Sequence, residues 1–528
     1  MTDRALGGRG SRYAVATPHV AATEAGREAL ESGGNAVDAA LAAATTLAVV
    51  YPHMCGVGGD LFALVHEEQG RTLAINATGA SPRGIDVDAI RAEHATMPEH
   101  GIHTVTVPGA VSGWSVLAEG WSRLGWAGAF ERAIAHARDG EPVAGSLAAA
   151  LAYDPQTHRA DRGLADVYYP EGRPLERGEH LVQPALAKTL ETLAAEGPGA
   201  LYGGDLGRAY VAGLGRLGST TTVEDLAAHH ADVLSPLTGR YRDLDVLVPP
   251  PTSQGFVLLE ILAGIERLEI DPDPLGRDAG ALALLFRAAS LDRDMHLADP
   301  AHMRMHPHSL LEDGHIGAVC DQVRSGRPVP VDVAGRTQGG TVGLVTADAD
   351  GWAVCLIQSL GPGFGAGILE PETGIVAQGR GGGFTLEAGH PNELGPAKLP
   401  AHTLMPVMAL RRGRVAAVSG TMGGAAHPQI NAMSLIRASD LGRSAADAVA
   451  DPRWLAGGMD AVGPDPFVVA EPGAIAAAGD ALRDAGFRVD ALEELDEDVG
   501  HAHLIVNGPD GSFDAGTDPR ADGGVATG

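Results

Sequence analysis

Residues 36–50 are the stretch that most restricts how this chain can fold. They read AVDAALAAATTLAVV, so apolar side chains lie on nearly every side of a helix. Such a helix has to be covered all round, as it would be inside a layered sandwich. Gly33 and Gly34 end a preceding helix, and Asn35 is suited to cap the next one. The sequence therefore predicts two consecutive helices over 21–50, the second of them buried.

Hairpin patterns follow this helix pair and return in the last third of the chain. The runs LFALVH and TLAINA, on either side of EEQGR, predict the first hairpin. Residues 114–300 carry apolar residues mostly at helical spacing, and 427–442 predict one further helix. Paired apolar runs then turn at 412–413 and 509–511. Helix layers covering packed sheets would satisfy this order.

Charge and cysteine content exclude several classes of protein. The formal net charge is −29 over 528 residues, and the phosphates of a nucleic acid would be repelled by such a surface. Cys55, Cys320 and Cys355 are far apart and form neither a disulfide framework nor a zinc pattern. The chain shows no signal-peptide pattern and no apolar run of about 18 residues or more. We therefore expect a cytoplasmic protein that binds neither nucleic acid nor membrane.

Thr341 begins an apolar stretch directly behind two glycines. The stretches TVGLVTA and WAVCLIQS flank Asp-Ala-Asp-Gly at 348–351, which predicts a hairpin. The preceding residues, 309–337, are polar with Gly and Pro, and predict an exposed loop leading to Thr341. On these residues alone, Thr341 is a β-branched residue that opens a strand.

Segments spread over most of the chain suggest a family. They include SGGNAVDAALA, YPHMCGVGGDLFAL, VPGAVSGW, PPTSQG, LDRDMHLADP, KLPAHTLMP, SGTMGGAAHPQ and GTDPRADGGVA. In this order they resemble the signatures of the γ-glutamyltranspeptidase family of N-terminal-nucleophile (Ntn) hydrolases. The resemblance implies an α+β fold, an αββα four-layer sandwich made as one precursor that cuts its own chain. It places the cleavage between Gly340 and Thr341.

The resemblance also implies how the new N-terminus would work. Thr341 would be the nucleophile, with its freed α-amino group as the base, since an α-amino pKa of about 7.7–8.0 suits proton transfer. Ser359 would assist the nucleophile, although a strand-end serine that caps a turn is an equally good interpretation. Gly423 and Gly424 would give backbone N–H groups to the oxyanion, where the alternative is a loop glycine pair.

The positions that would hold a γ-glutamyl group depart from the family. In the family, an arginine and a Ser-Ser pair hold the α-carboxylate, and an acidic residue holds the α-amino group. Their places are taken here by Thr78 or Ala80, by His402 and Thr403, and by Gly383. Since an unpaired buried charge costs several kcal/mol, glutamyl groups should bind poorly.

Arg380 is an additional charge in the same region, and several motifs look closer to the oxamate-amidohydrolase-like and acylase-like branch. We therefore expect an enzyme that cleaves an amide or related acyl bond of a small molecule, with Arg380 and His402 meeting an anionic or carbonyl-rich acyl group. One alternative is a γ-glutamyltransferase or glutathione hydrolase. Another is an unprocessed, non-catalytic binding homologue.

The remaining expectations concern assembly and ligands. Cleavage would leave a large fragment, 1–340, and a small fragment, 341–528, which together form one αββα unit and a heterodimer. Further dimerisation is left open. No cofactor and no metal is expected, and His501 and His503, two apart on a strand, should serve packing or hydrogen bonding. The glycines of 56–59 lack the lysine of a phosphate loop and should form a structural loop near the pocket.

Overall fold

The computed structural model describes residues 5–328, 340–457 and 466–528. The strands of this part of the chain are β1 (Gly7–Gly10), β2 (Tyr13–Thr17), β3 (Asp60–His66), β4 (Thr72–Ala77), β5 (Glu141–Pro142), β6 (His180–Leu181), β7 (Asp232–Leu234), β8 (Leu237–Tyr241), β9 (Leu244–Val248), β10 (Gly340–Asp348), β11 (Ala353–Gly361), β12 (Leu369–Glu370), β13 (Ile375–Val376), β14 (Val407–Arg411), β15 (Arg414–Met422), β16 (Trp454–Ala456), β17 (Phe467–Ala470), β18 (Arg488–Ala491), β19 (His501–Asn507), β20 (Phe513–Thr517) and β21 (Gly524–Thr527).

The α-helices are α1 (Val20–Glu31), α2 (Ala36–Val50), α3 (Val87–Glu93), α4 (Ala110–Trp121), α5 (Gly125–Gly128), α6 (Glu131–Asp139), α7 (Gly145–Tyr153), α8 (Pro155–Ala160), α9 (Arg162–Tyr168), α10 (Pro184–Glu196), α11 (Asp205–Arg216), α12 (Val223–Ala227), α13 (Gly255–Leu268), α14 (Ala279–His296), α15 (Pro307–Leu310), α16 (Asp313–Arg324), α17 (His427–Ser439), α18 (Ala445–Ala450) and α19 (Pro472–Asp484). Among the described helices, none is long and apolar enough to cross a bilayer.

Two antiparallel seven-stranded sheets form the centre of the molecule. The first has the strand order β1-β20-β19-β15-β14-β9-β8, and the second has the order β21-β2-β10-β11-β3-β4-β7. Their inner faces share an apolar core that includes Phe62 and Ile357 from the second sheet and Val418 and Ile505 from the first. Each sheet therefore combines strands from both sides of Gly340.

Helices cover both outer faces of the sheet pair. The helices α13, α17 and α18 pack on the first sheet, whereas α2 and α4 pack on the second. Every residue of α2 is buried, as its apolar sequence predicts, and Asn35 caps it by accepting hydrogen bonds from the N–H groups of Val37 and Asp38. The layers run helix, sheet, sheet, helix, which confirms the αββα sandwich.

The exposed loop predicted over 309–337 is wrong in its first part. Helices α15 and α16 occupy Pro307–Leu310 and Asp313–Arg324. Ile316, Val319, Cys320 and Val323 are buried along one face of α16. The residues 329–337 of this expectation lie outside the described residues. The helix at Asp313 forms because its apolar residues recur at helical spacing and can pack against α13 and α14.

The other hairpin and helix predictions are confirmed. The hairpins β3–β4, β10–β11, β14–β15 and β19–β20 and the helix α17 form where the patterns predict them. His501 and His503 are both buried in β19, and His503 Nδ1 lies 2.8 Å from Thr517 Oγ1. The glycine loop 56–59 packs on the strand that carries Ser359: a Cβ on Gly59 would lie 2.4 Å from Ser359 O.

Candidate active site

Thr341 lies in a row of polar side chains across three neighbouring strands. It pairs with Ser359 of β11, and Ser359 pairs with Asp60 of β3. Paired residues of an antiparallel sheet point to the same face. Ile357 and Phe62, which lie two residues along the strands from Ser359 and Asp60, enter the core between the sheets. The three polar side chains therefore face inward, at one end of the sandwich, where Thr341 is 1% exposed.

The Ser359 hydroxyl joins the groups on both sides of the predicted cleavage point. Thr341 Oγ1 donates to Ser359 Oγ at 3.0 Å, and Ser359 Oγ donates to the carbonyl oxygen of Gly340 at 2.6 Å. Arg380 Nη2 and the N–H of Gly361 donate to the same hydroxyl at 2.8 and 2.9 Å. Because a hydroxyl has one proton to donate, that proton is directed to the Gly340 carbonyl, which it polarises.

Only glycine fits immediately before Thr341. A Cβ built on Gly340 would lie 2.4 Å from the carbonyl oxygen of Pro362, a rigid backbone atom. The pairing of β10 with β11 is also irregular between Gly340 and Thr341. The peptide bond that would be cut is therefore held closely against the backbone of the next strand.

Arg380 places a buried guanidinium beside Ser359. Its side chain is supplied by a short 3-10 turn after β13, and Nη1 donates to Thr403 Oγ1 at 3.3 Å. The Arg380 Nε has no hydrogen-bond partner among the described residues. Burial lowers the pKa of Arg380 to about 10, against the opposing effect of Asp60. The group is therefore a cation at neutral pH, with one N–H still unsatisfied.

Asp60 is the buried counter-charge of this cation. It accepts hydrogen bonds from Gln378 Nε2 and Gly79 N, each at 2.9 Å, and contacts His402 Nε2 at 3.1 Å. Burial raises the pKa of Asp60 to about 7, although Gln378 and Arg380 oppose this. The charge balance of the site therefore depends on the protonation of Asp60 near neutral pH.

His402 supports Asp60, and its expected contact with an acyl group stays a prediction. Its Nδ1 accepts from the N–H of Leu404 at 3.2 Å, and its Nε2 faces Asp60, so both ring nitrogens are in use. The ring is fully buried, and burial, with the nearby Arg380, holds the pKa of His402 well below its usual range. A neutral imidazole that donates to Asp60 follows.

A glycine loop follows β15, where the two sheets come close together. A Cβ on Gly343 of β10 would lie 2.7 Å from the carbonyl carbon of Gly420 in β15. Beyond the end of β15, the N–H groups of Gly423 and Gly424 form no hydrogen bond to any described residue. Gln254 Nε2 fixes the loop by donating to Gly424 O at 3.0 Å. Two free N–H groups in a fixed loop suit an oxyanion site.

The same glutamine ties this loop to the arginine. Gln254 Nε2 also donates to the carbonyl oxygen of Thr403 at 2.7 Å, and Thr403 Oγ1 accepts from Arg380. On the other side, Arg293 Nη1 donates to Ala425 O at 2.9 Å. Hydrogen bonds therefore connect the glycine loop, Arg380, Ser359 and Thr341 in one buried network.

Comparison with known proteins assigns the family. The family model for γ-glutamyltranspeptidase matches residues 22–528. The chain belongs to the γ-glutamyltranspeptidase family. Its αββα sandwich is that of the Ntn hydrolases, and it is accordingly a hydrolase by family.

Three relatives of this family member are especially similar. The oxamate amidohydrolase proenzyme of Klebsiella pneumoniae is 36% identical over 521 residues, 96% of this chain and 97% of the relative. The glutathione hydrolase-like YwrD proenzyme of Bacillus subtilis is 33% identical over 527 residues, 97% and 98% of the two chains. The crystal structure of cephalosporin acylase from Bacillus halodurans superposes with a TM-score of 0.91, at 29% identity, covering 100% of this chain and 98% of that one.

The structure of this γ-glutamyltranspeptidase-family chain brings only some of the predicted substrate-binding residues to Thr341. Arg380 and Thr403 join the network at Ser359. Thr78 instead donates to Asn76 Oδ1 at 2.6 Å and lines a cavity of about 290 Å³. Gly383 O accepts from Asn392 Nδ2 at 2.7 Å. Among the described residues, no hydrogen bond links Thr78 or Gly383 to Thr341.

Sequence reasoning about the family missed the residues that support the site. These are Asp60, Gln254, Arg293 and Gln378. Asp60 carried a signal that could have found it: it begins a strand behind two glycines, just as Thr341 does. Gln254 and Arg293 lie within the motifs PPTSQG and LDRDMHLADP, but like Gln378 they contact residues distant in the sequence, and no local pattern indicates those contacts.

Proposed function

We propose that this chain cleaves itself between Gly340 and Thr341, and that Thr341 then hydrolyses an amide bond of a small molecule with an anionic or carbonyl-rich acyl group. The observation that carries the proposal is the position of the Ser359 hydroxyl. It lies 3.0 Å from Thr341 Oγ1 and 2.6 Å from the Gly340 carbonyl oxygen. The Ser359 side chain therefore contacts both the Thr341 hydroxyl and the Gly340 carbonyl that this hydroxyl would attack.

In self-cleavage, Thr341 Oγ1 attacks the carbonyl carbon of Gly340. The C–N bond of the peptide breaks as the new C–O ester bond forms, and the hydroxyl proton ends on the released amine. The Ser359 hydroxyl stabilises the charge that develops on the Gly340 oxygen. Water then hydrolyses the ester, which restores the Thr341 hydroxyl and leaves Gly340 with a carboxylate.

In turnover, the freed amine of Thr341 takes the proton of its own hydroxyl. The oxygen attacks the acyl carbon of the substrate, and the N–H groups of Gly423 and Gly424 stabilise the oxyanion. The proton passes to the leaving amine, and water releases the acyl group. Ser359 is retained beside Thr341 throughout, because the N–H of Gly361 and the guanidinium of Arg380 fix its oxygen.

Arg380 supports an acyl group that carries a carboxylate or a second carbonyl. Thr341 Oγ1, which would carry the acyl group, lies within about 6 Å of Arg380 Nη2, since both atoms hydrogen-bond to Ser359 Oγ, at 3.0 and 2.8 Å. Arg380 Nε is buried without a partner among the described residues, so an anionic oxygen would satisfy it. The relative from Klebsiella pneumoniae is named an oxamate amidohydrolase, and the Bacillus halodurans neighbour a cephalosporin acylase.

The two fragments would remain together as a heterodimer. Strand β10, which begins at the cleavage point, pairs with β2 and β11. Each sheet contains strands of 1–340 hydrogen-bonded to strands of 341–528, so separation of the fragments would break both sheets. The relatives from Bacillus subtilis and Klebsiella pneumoniae are named proenzymes, in agreement with such processing.

The second candidate function is γ-glutamyl transfer or glutathione hydrolysis. The Bacillus subtilis relative is named glutathione hydrolase-like. Against this candidate, the positions for the γ-glutamyl carboxylate and amine hold Thr78, His402 and Gly383. A third alternative, an unprocessed binding homologue, requires that the chain stay uncut.

A substrate panel separates these candidates. Processed protein is assayed with oxamate, with a neutral acyl amide and with γ-glutamyl-p-nitroanilide, and with Thr341→Ala as the blank. We expect kcat/KM for oxamate to exceed that for the γ-glutamyl compound by about 10-fold or more, since a missing charge partner costs at least about 1.4 kcal/mol. A higher kcat/KM for the γ-glutamyl compound would support the second candidate, and a purified chain that stays uncut would support the third.

A further inference from the structure

Three helices that cover the first sheet bring potential metal ligands to one point. Glu260 of α13, Asp292 of α14 and His315 of α16 each offer one ligand atom, and these atoms lie within 4.8 Å of one another. His315 Nε2 is 2.7 Å from Asp292 Oδ2 and 3.8 Å from Glu260 Oε1. The three helices pack against one another, so their junction is part of the core.

The buried carboxylate of Glu260 is a second, independent indication of a bound cation at this junction. Its side chain is 0% exposed, and both carboxylate oxygens lack a hydrogen-bond partner among the described residues. Burial raises the pKa of Glu260 well above its usual range, and Asp292 adds to this. Leaving a buried carboxyl without a partner is costly, whereas a cation beside it would satisfy both oxygens.

We propose that Glu260, Asp292 and His315 bind one divalent transition-metal cation of the Zn²⁺ class. Carboxylate oxygens and an imidazole nitrogen are ligands that Zn²⁺ accepts, whereas Ca²⁺ and Mg²⁺ favour sets made only of oxygen. Ligand atoms around tetrahedral Zn²⁺ are about 3.3 Å apart, and the two distances at His315 lie on either side of this value. Binding requires Glu260 ionised and His315 neutral, and any proton released goes to solvent.

His296 lies next to this cluster, although its ring nitrogens are not among the ligand atoms that lie within 4.8 Å of one another. It lies on the same helix as Asp292, one turn further, and its Nε2 is 3.9 Å from Asp292 Oδ1. His315 is 22% exposed, which gives the ion a path from solvent. Three protein ligands, buried or half-buried, would leave the fourth position of a tetrahedral Zn²⁺ to water.

Such an ion would fix the helices that hold the glycine loop. Arg293, the neighbour of Asp292, donates to Ala425 O, and Gln254, at the start of α13, donates to Gly424 O. Removal of the ion should therefore also lower kcat, a consequence that rests on the proposed function. Metal content and thermal stability do not depend on that function. A failure of the metal-site proposal can therefore be distinguished from a failure of the proposed function.

The test uses the untagged full-length protein. Metal content is measured by plasma mass spectrometry, and Tm is measured after chelation and after adding back ZnCl₂, MnCl₂ or MgCl₂. We expect about one Zn²⁺ per chain and a rise in Tm of at least about 2 °C with Zn²⁺, since a ligand well above its Kd stabilises the folded state. Glu260→Gln and His315→Gln should weaken Zn²⁺ binding by about 100-fold or more.

The chain offers a matched control at its surface. Glu93, His94 and His103 also approach one another, but they are exposed or half-buried, so His103→Gln should leave the Zn²⁺ response unchanged. No bound metal and no Zn²⁺-dependent rise in Tm would overturn the proposal. The proposal would also be overturned if the Zn²⁺-dependent rise in Tm were lost in His103→Gln and kept in His315→Gln. If the Glu260 and His315 variants fail to fold, anomalous diffraction at the zinc edge decides, by a peak at the three-helix junction or its absence there.

Discussion

Replacing Ser359 by alanine removes the group that lies between nucleophile and scissile carbonyl. The Gly340 carbonyl loses a hydrogen bond of 2.6 Å, and Thr341 Oγ1 loses its partner at 3.0 Å. Removing one donor from a developing oxyanion lowers a rate by about 10²–10³-fold. We therefore expect self-cleavage of Ser359→Ala to be slower by about that factor. The N–H groups of Arg380 and Gly361 also lose an acceptor, at a cost of about 1–3 kcal/mol in the free energy of unfolding.

The assay follows the conversion of the full chain into fragments of residues 1–340 and 341–528 by intact mass. Ser419→Ala is the matched control, because Ser419 is also fully buried in a strand and donates at 2.7 Å to Asn431. It should process at the wild-type rate, although it loses a hydrogen bond of similar length. Wild-type processing of Ser359→Ala would refute the role assigned to this hydroxyl, and equal slowing of both variants would attribute the effect to stability alone.

Three further variants test the surroundings of Thr341. Arg380→Lys keeps the charge but lacks the planar fork of N–H groups that contacts Ser359 and Thr403 and leaves Nε free, so KM for an acyl group with a carboxylate should rise about 10-fold, with a smaller change for a neutral amide; equal changes would contradict the assignment. Burial raises the pKa of Asp60 from 3.8 to about 7, so its contribution to stability is present below pH 3.8 and lost as the pH rises through 7. The free energy of unfolding of Asp60→Asn should therefore increase relative to that of the wild type by up to about 4 kcal/mol as the pH rises from 4 to 8. A difference in Tm between the two proteins that does not vary with pH would argue against this. Gly424 has φ of +52°, so Gly424→Ala should cost about 1–2 kcal/mol of stability and also lower kcat, whereas Gly442→Ala, at φ +63° in open space, should cost stability only.

The local structure of this chain was largely predictable, because its elements end at strong signals. Asn35 caps α2, and the turns at 348–351 and 412–413 close hairpins of the second and first sheet. Helix α16 was not predicted, since polar residues dominate the composition of the whole segment 309–337. Its apolar residues, including Ile316 and Val319, do recur at helical spacing, but the polar residues between and after them outweighed this signal.

The candidate site was predictable where its contacts are local in the sequence and not where they join distant segments. Thr341 and Ser359 lie opposite each other on a hairpin, so their contact follows from local pairing. Asp60 and His402 are 342 positions apart, and their contact depends on how the two sheets meet. For that reason the sequence did not predict the contact between His402 and Asp60. The cytoplasmic location and any further dimerisation stay predictions.

The central claim is that Thr341 becomes an N-terminus and a nucleophile, and intact mass with N-terminal sequencing tests it most directly. The purified wild-type protein should give two fragments, of which the smaller begins Thr-Val-Gly-Leu and gains the mass of the acyl group when mixed with a slowly hydrolysed amide. Thr341→Ala should remain one uncut chain and gain no mass. A cut at another position, or a Thr341→Ala protein that is cleaved or acylated, would contradict the account.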